Sequence, residues 1–174
     1  GNKLVWLSAA YGDNDLPETA SLKKVFATVT DALRSGKAVS CYTMGLGGIA
    51  EAAMKMAFGN GLGVRFADFV TPGKLFNDCY GSFLLEVEDG AEIEGAITIG
   101  EVTNDGAVSL GNESVSLCSL LEIYENKLES VYSCNIKNEK EKPETVSYSV
   151  NSHRSAAFKC AKPRVLIPVF PGTN

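Results

Sequence analysis

The sequence lacks an excess of positive charge and contains no long apolar run. Its 174 residues include 16 lysines and arginines against 21 aspartates and glutamates, a formal net charge of -5. Nucleic-acid and anionic-membrane surfaces need clustered cations, so neither kind of partner is expected. No apolar run reaches the roughly 18 residues of a membrane span. The first residues, GNKLVWLSA, lack the basic start and long apolar core of a signal peptide.

Histidine is nearly absent and the cysteines are few and scattered. His153 is the single histidine, and no CxxC pair occurs among Cys41, Cys79, Cys118, Cys134 and Cys160. Neither a zinc site nor a disulfide framework is therefore expected. Scattered thiols are typical of a reducing compartment, so we expect a cytoplasmic protein. No nucleophile elbow accompanies His153, and we predict no catalytic residue within the chain.

What the sequence does contain is the composition of a globular domain, with 45% hydrophobic and 21% charged residues. Apolar patterns predict strands over 3–9, 38–44, 64–70, 82–87, 96–103 and 107–110. They predict helices around 22–33, 49–58 and 117–128, the first with an apolar stripe of Leu22, Val25, Phe26, Val29 and Leu33. Asn104, Asp105 and Gly106 are a strong turn signal, which predicts a hairpin between the last two strands. The irregular order of strands and helices favours an α+β fold with a mixed sheet.

The end of the chain changes character. Residues 135–148 are charged and polar without periodicity, which is typical of a solvated linker. Residues 164–170, RVLIPVF, form a continuous apolar run that is typical of a first parallel strand in an α/β domain. Such a strand without a partner would expose apolar surface and unpaired backbone groups. We therefore expect a piece of a longer protein, and the missing initiator methionine points the same way.

The stretch 42–63, YTMGLGGIAEAAMKMAFGNGLG, is the most informative local feature. A strand, a glycine turn and a helix start can expose backbone N–H groups to a phosphate. However, the GxGG at 45–48 is not GxGxxG, and no Walker lysine follows it. The alternative is a tight strand-to-helix turn that needs small residues for close packing.

Several stretches together resemble a known family. GGIAEAAMKMAFGNGLGVRF, at 47–66, resembles the helix region of the C-terminal domain shared by aminoimidazole ribonucleotide synthetase and its relatives. LFNDCYGSFLLEV and AITIGEVT resemble later strands of that domain. KPRVLIPVFPGTN, at 162–174, resembles the opening strand of the glutaminase domain of phosphoribosylformylglycinamidine synthases. This order is characteristic of the long single-chain form of that family.

The resemblance implies three segments. Residues 1–132 would form the synthetase-related domain, an α+β fold with a mixed, mainly antiparallel sheet packed with helices. Residues 133–162 would be a linker, and residues 163–174 would begin the glutaminase domain. The catalytic Cys, His and Glu of that glutaminase would lie beyond Asn174.

The resemblance also implies an activity for the whole enzyme. It would convert formylglycinamide ribonucleotide, ATP and glutamine to formylglycinamidine ribonucleotide in purine biosynthesis, with ATP and Mg as cofactors of the full enzyme. The partners of this piece would be the remaining domains of the parent chain. Alone, it is expected to be structural and inactive, without a cofactor, and open to pairing as a homodimer through a newly exposed apolar face.

The resemblance places candidate site residues at the glycine turn. Relatives carry His-Asp-x-Ser just before the Gly-Gly pair, where the Asp can hold a magnesium ion on a bound nucleotide and the Ser can touch the nucleotide. Counting back from Gly47 and Gly48, the matching positions are Tyr42, Thr43 and Gly45. A hydroxyl is a poor substitute for a carboxylate ligand, so we expect no metal and no tightly held nucleotide here.

These five residues would then line a cleft or pack on a neighbouring domain. Two alternatives stay open. The chain could be a stand-alone nucleotide- or phosphate-binding module of the same fold, or an unrelated α+β interaction domain whose terminal apolar run is coincidental.

Overall fold

The computed structural model describes residues 1–77, 79–133, 147, 161–162 and 164–170. The chain divides into two units, Gly1–Asn135 and Ile136–Asn174. The helices and strands of the described residues all lie in the first unit. In chain order they are β1 (Lys3–Leu7), α1 (Thr19–Arg34), β2 (Ala38–Thr43), α2 (Gly48–Phe58), β3 (Gly63–Phe66), α3 (Pro72–Leu75), β4 (Phe83–Val87), β5 (Ile97–Thr103), β6 (Ala107–Leu110), β7 (Glu113–Ser116) and α4 (Leu117–Asn126).

The strands form one seven-stranded sheet in the order β2-β4-β1-β5-β3-β6-β7. Neighbouring strands are antiparallel except for β3 and β6, which are parallel. The predicted α+β class, with a mixed, mainly antiparallel sheet packed with helices, is confirmed.

Helices cover both faces of the sheet, because its central strands are apolar on both sides. In β1, Leu4 belongs to a core with α2, whereas Val5 and Leu7 belong to a second core with α1. The adjacent strand β4 divides in the same way, with Leu84 in the first core and Leu85 in the second. Successive apolar residues are typical of strands that are buried on both faces.

The helix α1 buries a narrower stripe than its sequence predicts. Its buried residues are Val25, Val29 and Ala32. Phe26 and Leu33, which the predicted stripe included, are 46% and 43% exposed. Phe26 nevertheless packs edge-on against Phe83 of β4, with the ring centroids 5.6 Å apart.

The predicted hairpin between β5 and β6 is wrong. The strand β3 lies between them, antiparallel to β5 and parallel to β6. β6 pairs on its other side with β7, a strand that the sequence pattern did not predict. The turn after β5 packs against Gly63, where a β-carbon would overlap Thr103, Asp105 and Ala107. The missing side chain at Gly63 lets this turn cross the start of β3.

Residues 164–170, whose pattern is typical of a first strand in a further α/β domain, form no helix or strand in this structure. Val165, Leu166 and Ile167 are 76%, 90% and 77% exposed. An apolar run becomes a strand only when a neighbour satisfies its backbone N–H and C=O groups, so local composition does not suffice. The linker and glutaminase assignments stay predictions. His153, Cys134, Cys160 and most of the predicted linker lie outside the described residues.

Three further observations concern the helices, the thiols and the possible metal ligands within the described part of the chain. No helix there has the length and apolarity to cross a bilayer. Cys41 and Cys118 are free thiols, and burial raises the pKa of the Cys41 thiol. The Sγ of Cys79 donates to the carbonyl oxygen of Asn77 at 3.2 Å. No three His, Cys, Asp or Glu side chains of the described ranges are grouped closely enough to hold a metal ion.

Candidate functional site at the glycine turn

The strand β2 carries the first candidate residues to one edge of the sheet. Tyr42 and Thr43 end this strand and pair in register with the first two residues of β4. β2 is the outermost strand on that side of the sheet. Tyr42 is half-buried, whereas Thr43 is exposed. The backbone N–H of Met44 then donates to the carbonyl oxygen of Ser82 at 3.1 Å, where the chain leaves the sheet.

The next residues form a tight turn into α2. The backbone N–H of Gly48 donates to the carbonyl oxygen of Gly45 at 3.0 Å. Gly47 precedes the helix and Gly48 begins it with a φ of 60°. The side chain of Leu46, which lies between Gly45 and Gly47, is 77% exposed.

The buried Gly48 is required by the close approach of α3. A β-carbon at Gly48 would lie 2.6 Å from the carbonyl oxygens of both Leu75 and Asn77. The short helix α3 is itself fixed at its start, because the Thr71 hydroxyl accepts a hydrogen bond from the Lys74 backbone N–H at 3.4 Å. The close approach of α3 to Gly48 fits the interpretation that the turn needs small residues for close packing.

The carboxylate of Glu51 folds back onto the turn. One of its oxygens accepts a hydrogen bond from the backbone N–H of Gly47 at 2.9 Å. The other accepts a hydrogen bond from Nζ of Lys55 at 2.6 Å, one helical turn further along α2. A β-carbon at Gly47 would overlap the Glu51 side chain. One backbone N–H group that a phosphate at the turn could use, that of Gly47, is therefore paired with a charged group of the same helix.

Lys55 joins this ion pair to two aromatic rings. Its Nζ lies 5.9 Å from the ring centroid of Tyr42 and 5.5 Å from that of Tyr124, within the range of cation–π attraction. The hydrogen bond with Glu51 is the main cause that raises the pKa of Lys55 further above its ordinary value. The same hydrogen bond is the main cause that lowers the pKa of Glu51. Both groups are consequently ionised at neutral pH.

Sequence reasoning missed Glu51 and Lys55, although a signal for the pair was present. A glutamate four residues before a lysine on one helix is a favourable pairing. Glu51 also lies in the first turn of α2, where the helix dipole favours negative charge. The pattern predicts that the two side chains meet. It does not predict that the carboxylate also reaches the Gly47 backbone.

The structure brings the five predicted site residues together only in part. Tyr42 lies beneath Lys55, and a β-carbon at Gly45 would be 3.4 Å from a carboxylate oxygen of Glu51. Gly47 bonds to the same carboxylate. In contrast, Thr43 is exposed at the strand end.

Residues of the turn line one groove, and a second cavity lies at the end of β1. An apolar groove of about 430 Å³ begins at Gly47 and Glu51, and its apolar walls include Met54, Phe66, Leu75, Phe76, Leu110 and Val115. A second cavity, of about 600 Å³, lies at the carboxyl end of β1, and its walls include Trp6, Ser8, Tyr11, Asp15, Asn77 and Ser82. Within the described ranges the indole N–H of Trp6 is buried without a hydrogen-bond partner.

Comparison with known proteins identifies the kind of fold. No family model matches the chain. T. maritima PurL complexed with AMPPCP is similar with a TM-score of 0.58 and 14% identity, over 69% of this chain and 25% of that one. Phosphoribosylformylglycinamidine synthase II from Thermotoga maritima is similar with a TM-score of 0.57 and 12% identity, over 84% of this chain and 28% of that one. T. maritima PurL complexed with FGAR is similar with a TM-score of 0.56 and 11% identity, over 84% of this chain and 30% of that one.

At these low identities the likeness defines the fold, which is PurL-like. The chain spans between 25% and 30% of the length of these three structures. The activity and ligands of the larger proteins are thus separate matters from the fold of this chain.

Proposed function

We infer that this chain is a piece of a phosphoribosylformylglycinamidine synthase of the long single-chain form. That cytoplasmic ligase would convert formylglycinamide ribonucleotide, ATP and glutamine to formylglycinamidine ribonucleotide, with a glutamine amidotransferase domain following this one. The observation that carries the proposal is the PurL-like fold, which extends over 69% to 84% of the chain. The motif resemblances at 47–66 and 162–174 support it independently of the fold.

Complexes of similar structures support the ligands that we propose for the full enzyme. T. maritima PurL is known in complexes with ADP, ATP and FGAR. ATP with Mg, and the substrate, would therefore bind to the complete parent enzyme. The partners of this chain would be the other domains of the parent, and PurL in the PurLQS structure offers a precedent for assembly with further subunits.

Within that enzyme the role of this chain would be structural. Thr43 carries a neutral hydroxyl at the position where the resembling proteins carry a carboxylate, and a hydroxyl is a weak ligand for a hard cation. The Gly47 N–H is paired with Glu51. The residues Tyr42, Thr43, Gly45, Gly47 and Gly48 would then line a cleft or pack on a neighbouring domain, and would bind neither magnesium nor a nucleotide.

A stand-alone nucleotide-binding module is a weaker candidate. It would need free backbone N–H groups at the glycine turn, and the one at Gly47 is engaged by a carboxylate at 2.9 Å. Calorimetric titration of the 174-residue chain with ADP and Mg²⁺ separates the two functions. We expect no saturable heat, whereas binding that is lost on substitution of Gly47 would favour the module.

Genetic complementation tests the main proposal. The parent gene, expressed in a purine-requiring strain that lacks this synthase, is expected to restore growth without added purine. The 174-residue chain alone, and a parent without residues 1–132, are expected not to. A parent that is present and folded but does not restore growth would contradict the assignment. The parent sequence after Asn174 gives a second check, since it should contain a G-x-C-x-G elbow.

A further inference from the structure

We propose that the Glu51 carboxylate is the built-in anion of the glycine turn and that it excludes phosphate-bearing ligands from this turn. The inference rests on the proposed function, which gives the turn no nucleotide, and it deepens that function by naming the responsible residue. Without Glu51, a strand, a glycine turn and the start of an 11-residue helix would present a backbone donor to an anion.

The position of the carboxylate carries the proposal. Its oxygen lies 2.9 Å from the Gly47 nitrogen, which is hydrogen-bond distance for a charge-assisted bond. The same oxygen would be 2.8 Å from a β-carbon at Gly47 and 3.4 Å from one at Gly45. The Glu51 side chain therefore occupies the space of a side chain at Gly47, and it would be in van der Waals contact with one at Gly45. A phosphate oxygen that bonded to Gly47 would need this same space.

Lys55 holds the carboxylate in place. Its Nζ donates to the second oxygen of Glu51 at 2.6 Å, and the rings of Tyr42 and Tyr124 lie 5.9 and 5.5 Å from that nitrogen. Displacing Glu51 would break two charge-assisted hydrogen bonds. It would also leave a carboxylate beside the incoming phosphate, and like charges at such a distance repel.

An ordinary helical ion pair is the competing interpretation. Exposed pairs at i and i+4 contribute little to stability. Two observations distinguish the Glu51–Lys55 pair. Its side chains are only 28% and 25% exposed, whereas those of the Lys24–Glu94 pair are 72% and 84% exposed. The Glu51 carboxylate also bonds to a backbone N–H at the helix start.

Titration with inorganic phosphate, followed at the Gly47 backbone amide by NMR, tests the proposal on the 174-residue chain. The wild-type amide is expected to show no saturable shift. Glu51→Ala frees both the Gly47 N–H and Lys55, so its affinity for phosphate is expected to rise by roughly tenfold or more, as the loss or gain of a charged hydrogen bond commonly gives. Glu94→Ala removes the same charge from a remote pair and is expected to behave like the wild type.

The outcomes separate this inference from the proposed function. If folded Glu51→Ala binds phosphate no better than Glu94→Ala, Glu51 is not the excluding group. The turn then lacks phosphate binding for another reason, and the proposed function is unaffected. If the wild type itself binds phosphate at Gly47, the proposal that the turn binds no nucleotide is wrong, and the inference fails with it. Should Glu51→Ala not fold, Glu51→Gln replaces it. A neutral amide there should raise phosphate affinity partway, and unchanged affinity would overturn the inference.

Discussion

A β-carbon on Gly48 would lie 2.6 Å from the carbonyl oxygen of Asn77, so the backbone after α3 occupies the space of a side chain. Gly48 also has a φ of 60°, in the left-handed region. Gly48→Ala is therefore expected to destabilise the chain by about 2 kcal/mol or more, because the left-handed conformation alone costs about 1–2 kcal/mol. Urea unfolding measures this change.

Two other glycines serve as controls for this prediction. Gly36 has a φ of 75° with nothing near its β-carbon position, so Gly36→Ala should show only the conformational cost of about 1 kcal/mol. Gly59 has a φ of -64° and open space, so Gly59→Ala should be neutral or stabilise by about 0.5–1 kcal/mol. A Gly48→Ala cost equal to that of Gly36→Ala would mean that the contact with Asn77 yields easily.

The acid side of the stability profile should depend on Glu51. Its pKa is lowered from 4.5, first by the Lys55 hydrogen bond and then by that of the Gly47 N–H. Because the pKa is lower in the folded state than in the unfolded one, the stabilisation is complete above the unfolded pKa. It is lost as the pH falls through the folded pKa. Urea unfolding at neutral pH and at about pH 3 should thus show a smaller difference for Glu51→Gln than for the wild type.

Glu94→Gln is the matched control for the pH prediction. Glu94 pairs with Lys24 at 3.3 Å on the exposed surface, where such pairs add little. The control should keep the wild-type pH dependence. An identical acid loss in Glu51→Gln and Glu94→Gln would contradict the assignment of the effect to the glycine turn.

The tip of the glycine turn should be dispensable for folding. Leu46 is 77% exposed, so Leu46→Ala should change the free energy of unfolding by less than about 0.5 kcal/mol. Leu84 is fully buried, and Leu84→Ala should cost about 2–5 kcal/mol.

Leu46 also tests whether the turn packs on another domain of the parent enzyme. Leu46→Asp in the parent should lower synthase activity while the isolated chain stays as stable as the wild type. Ile123→Asp, at a residue that is 70% exposed on α4, is the control and should leave activity unchanged. Full activity of the Leu46→Asp parent would exclude a packing role for the turn.

Trp6 should tolerate loss of its indole N–H. That group is buried without a hydrogen-bond partner among the described residues. A buried unsatisfied donor costs about 1–3 kcal/mol, and Trp6→Phe removes this cost. The gain offsets part of the stabilisation that is lost with the smaller apolar surface. We expect Trp6→Phe to destabilise by less than about 1 kcal/mol and Trp6→Ala by about 3–5 kcal/mol. Comparable losses in thermal or urea unfolding for both variants would indicate that the N–H is satisfied.

Local patterns predicted the elements that local physics controls. Apolar runs located β1, β2 and β4, and glycines marked the turn before α2 at its observed position. Local patterns failed to predict strand pairing, because the pairing depends on residues that are distant in the sequence. Asn104 to Gly106 signalled a turn, and a turn is present, but the strand that follows it pairs with β3 rather than with β5.

The candidate site divides in the same way. The sequence located the turn and its glycines, and the spacing of Glu51 and Lys55 held a signal for an ion pair. Nothing in that spacing indicated that the carboxylate would reach back to Gly47, because this depends on the path of the backbone before the helix. Likewise, the need for glycine at position 48 arises from the carbonyl groups at the end of α3, more than 25 residues later in the sequence.

Hydrophobic periodicity and chain-breaking glycines act over a few residues, so they were enough to predict the α+β class and the turn before α2. Two features appeared only in the folded chain: β3 separates β5 from β6, and the glycine turn holds a carboxylate of its own chain. Strand pairing and side-chain contacts depend on which distant surfaces meet when the core closes. Residues 164–170 illustrate the limit, since their apolar pattern predicts a strand but a strand requires a partner.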